Sequence, residues 1–205
     1  MSNADFWNRI ARKYAKHRIS NMPAYEQTLE HVRRHLRPQD QVLEVGGGTG
    51  STAILLAPSV SHYTGTDYAE EMIAIAQEKL TADPVAGLEF MVAEADLEAV
   101  AAESKDVVLA FNLYHLVPDL NAAIAAANRV LKPGGLLITK TPCLGKKWYL
   151  RPVIKAMQLV GKAPQVAFLT NTTLENAFTG AGFDILETEY YAANTNNRFV
   201  VARKR

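Results

Sequence analysis

Val42-Leu43-Glu44-Val45-Gly46-Gly47-Gly48-Thr49-Gly50 decides the fold. A short apolar run with β-branched residues enters a glycine turn, and a helical segment, predicted over Thr52–Ala57, leaves it. Glycine is needed where the backbone turns through positive φ and where a ligand must approach without a Cβ in the way. A strand that ends in such a turn places it at the carboxyl end of a sheet, where open α/β sheets bind their ligands. Two familiar phosphate loops do not fit. A P-loop carries Lys before Ser/Thr after its last glycine, whereas Ser51-Thr52 follows directly here. The dinucleotide fingerprint is G-x-G-x-x-G, whereas Gly46, Gly48 and Gly50 give G-x-G-x-G. Glu44, two residues before the first glycine, would repel a pyrophosphate and suits a ligand that carries positive charge. Asp67, 17 residues beyond Gly50, falls at the tip of the next strand, where a carboxylate can accept both hydrogen bonds of a ribose diol.

Working outward, β-rich runs alternate with helical ones. Gln41–Val45, His62–Asp67, Leu88–Ala93, Asp106–Ala110 and Leu136–Thr141 read as strands. Ala69–Leu80 reads as a helix, and so does a stripe of Leu120, Ile124, Ala127 and Leu131, capped by Asp119 and stopped at Pro133-Gly134-Gly135. This order implies a mostly parallel sheet with helices on both faces. Thr172-x-x-Glu175 reads as a capping box that opens a helix ending near Gly182. Phe183–Tyr191 and Arg198–Arg203 then read as a terminal antiparallel hairpin, joined by a turn containing Asn194, Asn196 and Asn197. Before the sheet, Phe6, Ile10, Ala11 and Tyr14 share a helical face, and Pro23 suits the first turn of a second helix reaching about Leu36.

The 205 residues suffice for one domain with a sizeable core. A single cysteine, Cys143, excludes a disulfide framework and a cysteine-based zinc site, and no metal site is read from the sequence. The N-terminus shows no continuous apolar stretch of a signal peptide, and no run reaches the ~18 apolar residues of a membrane span. A cytoplasmic location is the expectation. The net charge of +1 conceals a split. Residues 1–37 hold eight Lys/Arg and three Asp/Glu, residues 38–119 hold two and fourteen, and residues 120–173 hold eight and none. The pI of about 7.8 argues against nucleic acid as the partner.

The glycine loop with Glu44 and Asp67 resembles the first two motifs of the class I S-adenosylmethionine-dependent methyltransferases. Asp106–Asn112 resembles that family's fourth strand. The string Arg129-Val130-Leu131-Lys132-Pro133-Gly134-Gly135-Leu136-Leu137 resembles its passage from helix to fifth strand. Phe6-Trp7 and Ala11-Arg12-Lys13-Tyr14 are similar to the N-terminal helix of the small-molecule branch that includes the ubiquinone and menaquinone biosynthesis enzymes. The resemblance implies one Rossmann-like, doubly wound, seven-stranded domain over 1–205. Within it, 1–37 would form a helical lid, 38–143 a donor-binding core, 144–171 a cover over the acceptor, and 172–205 the last helix and hairpin.

It also implies roles. Glu44 would reach the amino group of S-adenosylmethionine, and Gly46, Gly47, Gly48 and Gly50 would line its methionine part. Asp67 would hold the ribose, and Tyr68 or Met72 would pack on the adenine. An acid beside Ala95 would meet the adenine amine, with Asp96 favoured narrowly over Glu94. Phe111 and Asn112 would border the sulfonium, and Tyr14 would close over it. Met72 reads equally as core, and Glu94 and Asp96 as solvated loop acids.

A sulfonium methyl is already activated, so alignment for in-line displacement can supply up to ~7–11 kcal/mol. A base is required only for a protonated acceptor, and Tyr114 and His115 are the candidates; a loop-packing histidine is the rival reading. Asn112-Leu113-Tyr114-His115 lacks the prolines of the motif used on exocyclic base amines, and a lone Cys143 does not suit arsenic chemistry. Trp148, Tyr149 and Arg151 stand in a basic, aromatic stretch without acids, suited to an anionic or lipid-like acceptor or, through 144–160, to peripheral contact with an anionic membrane. The rival activity classes are a non-catalytic S-adenosylmethionine-binding protein and a nicotinamide-dependent oxidoreductase. Oligomeric state is not legible.

Overall fold

The computed structural model describes residues 3–17, 19–191 and 196–205. Asn194 of the anticipated turn lies outside them. Two helices, α1 (Asn3–Lys16) and α2 (Met22–His35), precede β1 (Gln41–Val45), α3 (Ser51–Leu56), β2 (His62–Asp67), α4 (Glu70–Ala82) and β3 (Leu88–Val92). Then come β4 (Lys105–Phe111), α5 (Leu120–Val130), β5 (Leu131–Pro142), α6 (Arg151–Leu159), α7 (Asn171–Gly180), β6 (Phe183–Glu189) and β7 (Asn197–Lys204). The sheet has seven strands in the order β3-β2-β1-β4-β5-β7-β6. β1 to β5 pair in parallel, while β7 runs antiparallel between β5 and β6. The order reverses between β1 and β4, which makes a crevice at the carboxyl ends of these strands.

The central strands carry Val42, Leu43, Val108 and Leu109 with no exposed surface, as expected for strands covered on both faces. One face packs Leu43, Val108 and Leu137 against α5 and α7 through Ile124, Ala127, Leu174 and Phe178. The other packs Val42, Leu109 and Ile138 against α2 and α3 through Leu29, Val32 and Ala53. A third cluster joins α1 to α4 through Ala11, Ala69, Met72 and Ile75.

The string around Pro133 is a structural joint. Arg129 donates to the carbonyls of Leu97 (2.6 Å) and Val100 (3.0 Å). Lys132 pairs with Asp106 at 2.8 Å, and the other oxygen of Asp106 accepts from the Gln41 amide that starts β1. Asp119 caps α5 through the Ala122 amide at 3.0 Å. The capping box at Thr172 is corrected. α7 starts at Asn171, and Thr170 accepts from the Thr173 amide at 3.0 Å. Glu175 instead turns to β7 and pairs with Arg198 at 2.8 Å, so its carboxylate serves packing between elements.

α1 docks by polar ties as well as apolar ones. Arg12 pairs with Glu78 of α4 at 2.5 Å, and Asn8 accepts from the Glu71 amide at 3.0 Å. At its start, Asn3 donates to the Leu116 carbonyl (3.1 Å) and accepts from the Gln165 amide (2.7 Å). α1 therefore bridges α4, the loop after β4, and the segment that follows α6.

Candidate functional site

Strand order brings the loops after β1, β2, β3 and β4 side by side. Residues 44–50, 67–68, 94–96 and 111–115 thus gather at one end of the sheet. The glycine loop is pinned to β2, because the Gly47 amide donates to the Thr66 carbonyl at 2.8 Å. Gly50 has φ +74°, and a Cβ there would stand 2.6 Å from the Phe90 ring. Gly48, at φ +56°, differs: a Cβ there would meet nothing within 4 Å. One glycine is demanded by packing, and the other opens toward free space.

Glu44 lies beneath this loop and is 2% exposed. The Tyr63 hydroxyl donates to its Oε2 at 2.9 Å. Burial pushes the carboxyl up to about 7, with the nearby Asp67 charge adding to the rise and the Tyr63 bond opposing it. Asp67, 7% exposed, accepts from the Ala69 amide (2.9 Å) and the Gly48 amide (3.0 Å). Burial raises its pKa against those backbone bonds. Each of its oxygens keeps a lone pair for a further donor.

Two residues not anticipated from the sequence complete the loop. Lys79 of α4 donates to the Thr49 carbonyl (2.8 Å), the Thr49 hydroxyl (3.1 Å) and the Ser51 hydroxyl (3.0 Å). It is one of only two basic residues in 38–119, a signal that could have marked it. Tyr25 of α2 shares a 3.1 Å hydrogen bond with Thr52, and nothing local in the sequence announces that contact.

The other candidates fall in several environments. Tyr14 is half exposed, its ring edge-on to Trp7 at 5.7 Å, and burial and the Asp67 charge raise its phenol. Tyr68 is half-buried at the end of β2. Met72 is buried between α1 and α4, which is the core reading. Ala95 packs on the main core, whereas Glu94 and Asp96 are exposed, and Asp96 accepts from the Glu98 amide at 3.2 Å. Phe111 is half-buried; Asn112 is exposed and has φ +55°.

Tyr114 is 2% exposed and packs edge-on against Phe178 at 6.3 Å, with burial raising its phenol. It belongs to the core, which leaves its hydroxyl poorly placed for the base role expected of it. His115 is half-buried, and burial lowers its imidazole to about 4. Its Nδ1 is buried without a hydrogen-bond partner.

The segment after β5 has another character. α6 buries no residue, and Trp148 (70%) and Leu159 (82%) stand in solvent. Tyr149 and Arg151 are exposed too, with the Arg151 guanidinium over the Phe168 ring at 5.1 Å. Trp148, Tyr149 and Arg151 therefore sit on the outer surface. A cavity of about 530 Å³ lies under the segment instead, lined by Asn3, Phe6, Lys155, Gln158, Leu159 and Gln165 among others. Among the described residues, no helix is long and apolar enough to cross a membrane.

The family model described as methyltransferase domain matches residues 43–139. The reducing polyketide synthase Preu2 of Preussia isomera is 37% identical over 109 residues, which is 49% of this chain and 5% of that protein. The ubiquinone biosynthesis O-methyltransferase of Paracidovorax citrulli is 29% identical over 156 residues, 72% of this chain and 65% of that one. The chain thus spans about a twentieth of the length of the polyketide synthase and just under two thirds of the ubiquinone enzyme. A SAM-dependent methyltransferase of Thermotoga maritima superimposes with a TM-score of 0.72 at 21% identity, covering 98% of this chain and 99% of that one. That likeness shows the shared fold, down to the terminal antiparallel strands. Residues 43–139 thus match a methyltransferase domain, and the chain shares its fold with S-adenosylmethionine-dependent methyltransferases.

Proposed function

We propose that the chain transfers the methyl group of S-adenosylmethionine to a small, anionic or lipid-like acceptor. The observation that carries the donor half is the pair of buried acids around the open loop at Gly48. Asp67 retains acceptor capacity for the ribose hydroxyls. Among the described residues Glu44 is paired with the Tyr63 hydroxyl and with no cation, and the donor's ammonium would supply one, directly or through water. Tyr68 packs on the adenine, while Phe111, Asn112 and Tyr14 border the sulfonium. The bound donor supplies the activated methyl. The protein's part is to align it, exclude water and hold the acceptor.

His115, kept neutral by burial and with its Nδ1 closed off from solvent, packs the loop after β4 rather than serving as a strong base. A base this weak adds little proton transfer at neutral pH, so rate comes from proximity and orientation. The cavity under α6 supports the acceptor assignment: it pairs apolar Phe6 and Leu159 with a cation, Lys155. The exposed apolar and basic residues of 146–160 suit an anionic membrane surface that presents such an acceptor.

The test is calorimetric titration with S-adenosylmethionine and with its demethylated product, followed by label transfer from radioactive donor to a lipid and metabolite extract. Micromolar donor binding with labelled product is expected. No binding at millimolar donor overturns the reading. Binding without any labelled product leaves a non-catalytic donor-binding protein.

A further inference from the structure

We propose that His31, His35 and Glu187 form a site for a borderline divalent cation of the zinc type, which clips α2 to β6. His31 and His35 are one helical turn apart on α2, the i, i+4 spacing that presents two imidazoles on one face. Glu187 arrives from β6, 156 residues beyond His31. The Nε2 of His31 lies 2.6 Å from one carboxylate oxygen of Glu187, and the Nε2 of His35 lies 3.4 Å from the other. All three ligand atoms fall within 4.8 Å of one another. A tetrahedral ion with bonds of ~2.1 Å needs ligand atoms about 3.4 Å apart. The closest pair, at 2.6 Å, has to open by about 0.8 Å, and the widest, within 4.8 Å, to close by about 1.4 Å at most.

The donor set selects the ion. Two imidazoles and a carboxylate suit zinc and its transition-metal neighbours; magnesium and calcium prefer oxygen cages. Three protein ligands leave a fourth position for water. His31 also lines an open cavity of about 660 Å³ with Glu26, Glu30, Arg34 and Tyr191. Arg34 lies 3.8 Å from Glu30, which lessens its opposition to a cation. The Tyr191 ring is 5.6 Å from the His31 ring, and its hydroxyl is buried with no hydrogen-bond partner. The site stands apart from the glycine loop, so the clip does not depend on the methyltransferase reading. It fixes α2 to β6, the edge strand of the sheet.

The experiment titrates zinc chloride into the metal-stripped full chain by calorimetry and follows thermal melting with and without zinc. One saturable ion at micromolar affinity and a zinc-dependent rise in Tm are expected. His35→Ala and Glu187→Gln should each weaken binding by more than about 100-fold, since losing a mere outer-shell partner costs about 10–100-fold. His31 packs against Phe199 at 5.3 Å, so His31→Gln serves if the alanine variant does not fold. Cobalt should give the intense visible bands of a four-coordinate site, lost in the same variants. His62→Ala, which removes a separate histidine–carboxylate pair at 3.0 Å, should change nothing. No saturable zinc binding in the wild type overturns the proposal, and so does binding that survives His35→Ala and Glu187→Gln together.

Discussion

The glycine loop and the segment around α6 are built differently. At the glycine loop, Glu44 and Asp67 are buried and held by named donors, and Lys79 ties Thr49 and Ser51 together. By contrast, α6 buries nothing and carries most of its apolar and basic residues in solvent. A cofactor that is the same in every turnover rewards preorganised, desolvated polar groups, because a buried group left unpaired costs about 1–3 kcal/mol. A surface segment with little packing of its own can vary without cost to the fold, which under the proposed function suits an acceptor cover. The contrast predicts that substitutions at the loop change folding and donor affinity, whereas substitutions in the cover change acceptor use alone.

The largest effect is expected at Gly50. Gly50→Val places a β-branched side chain at φ +74° and its Cβ against Phe90, costing about 3–6 kcal/mol from backbone strain and overpacking together. Chemical denaturation measures it; a loss below about 1 kcal/mol would break the picture of a rigid loop.

Next comes a pH dependence. Glu44 titrates near 4.5 when unfolded and at about 7 when folded. Between those values the folded state holds a proton the unfolded state has lost. Stability of the donor-free protein therefore falls from pH 4.5 to about 7, by about 3 kcal/mol, and then levels. Glu44→Gln should flatten that slope and exceed the wild type above pH 7. Under the proposed function, donor binding near pH 6 should release a proton, seen as a buffer-dependent calorimetric heat. An unchanged slope in the variant would place the proton elsewhere.

Asp67→Asn should weaken donor affinity by about 10- to 100-fold, the range of a lost charged hydrogen bond. Equal affinity would remove Asp67 from the ribose. The smallest effect on the fold is expected from reversing Lys146, Lys147, Arg151 and Lys155 to Glu. Tm should stay within about 2 °C, as exposed charges contribute little, while acceptor KM rises roughly fivefold. A matching fall in donor affinity would erase the division between the two regions.

Much of this was legible in the chain. Five parallel strands, the Asp119 cap and the joint around Pro133 follow from local demands: apolar runs of strand length, a side-chain acceptor before a helix, and glycines where φ is positive. The missed cap at Thr170 lay two residues from the expected one, because the T-x-x-E pattern does not reveal whether its glutamate faces the helix end or a strand. Tyr114 and His115 are adjacent in sequence, yet one is core and the other is half-buried with an enclosed ring nitrogen. Trp148 looked like a binding residue by composition and lies on the outside.

The sequence by itself determined the strand–glycine–helix turn, the two acids and their strand-tip placement, because these depend on backbone conformation and alternation within a few residues. Only the tertiary structure decided how each group behaves. Glu44 meets Tyr63 from the neighbouring strand and is cut off from water, so its proton affinity rises. His31 and His35 are four residues apart in the sequence, but only the fold brings Glu187 to them. Burial and long-range partners set electrostatic energies, and both arise from packing between segments far apart in the chain.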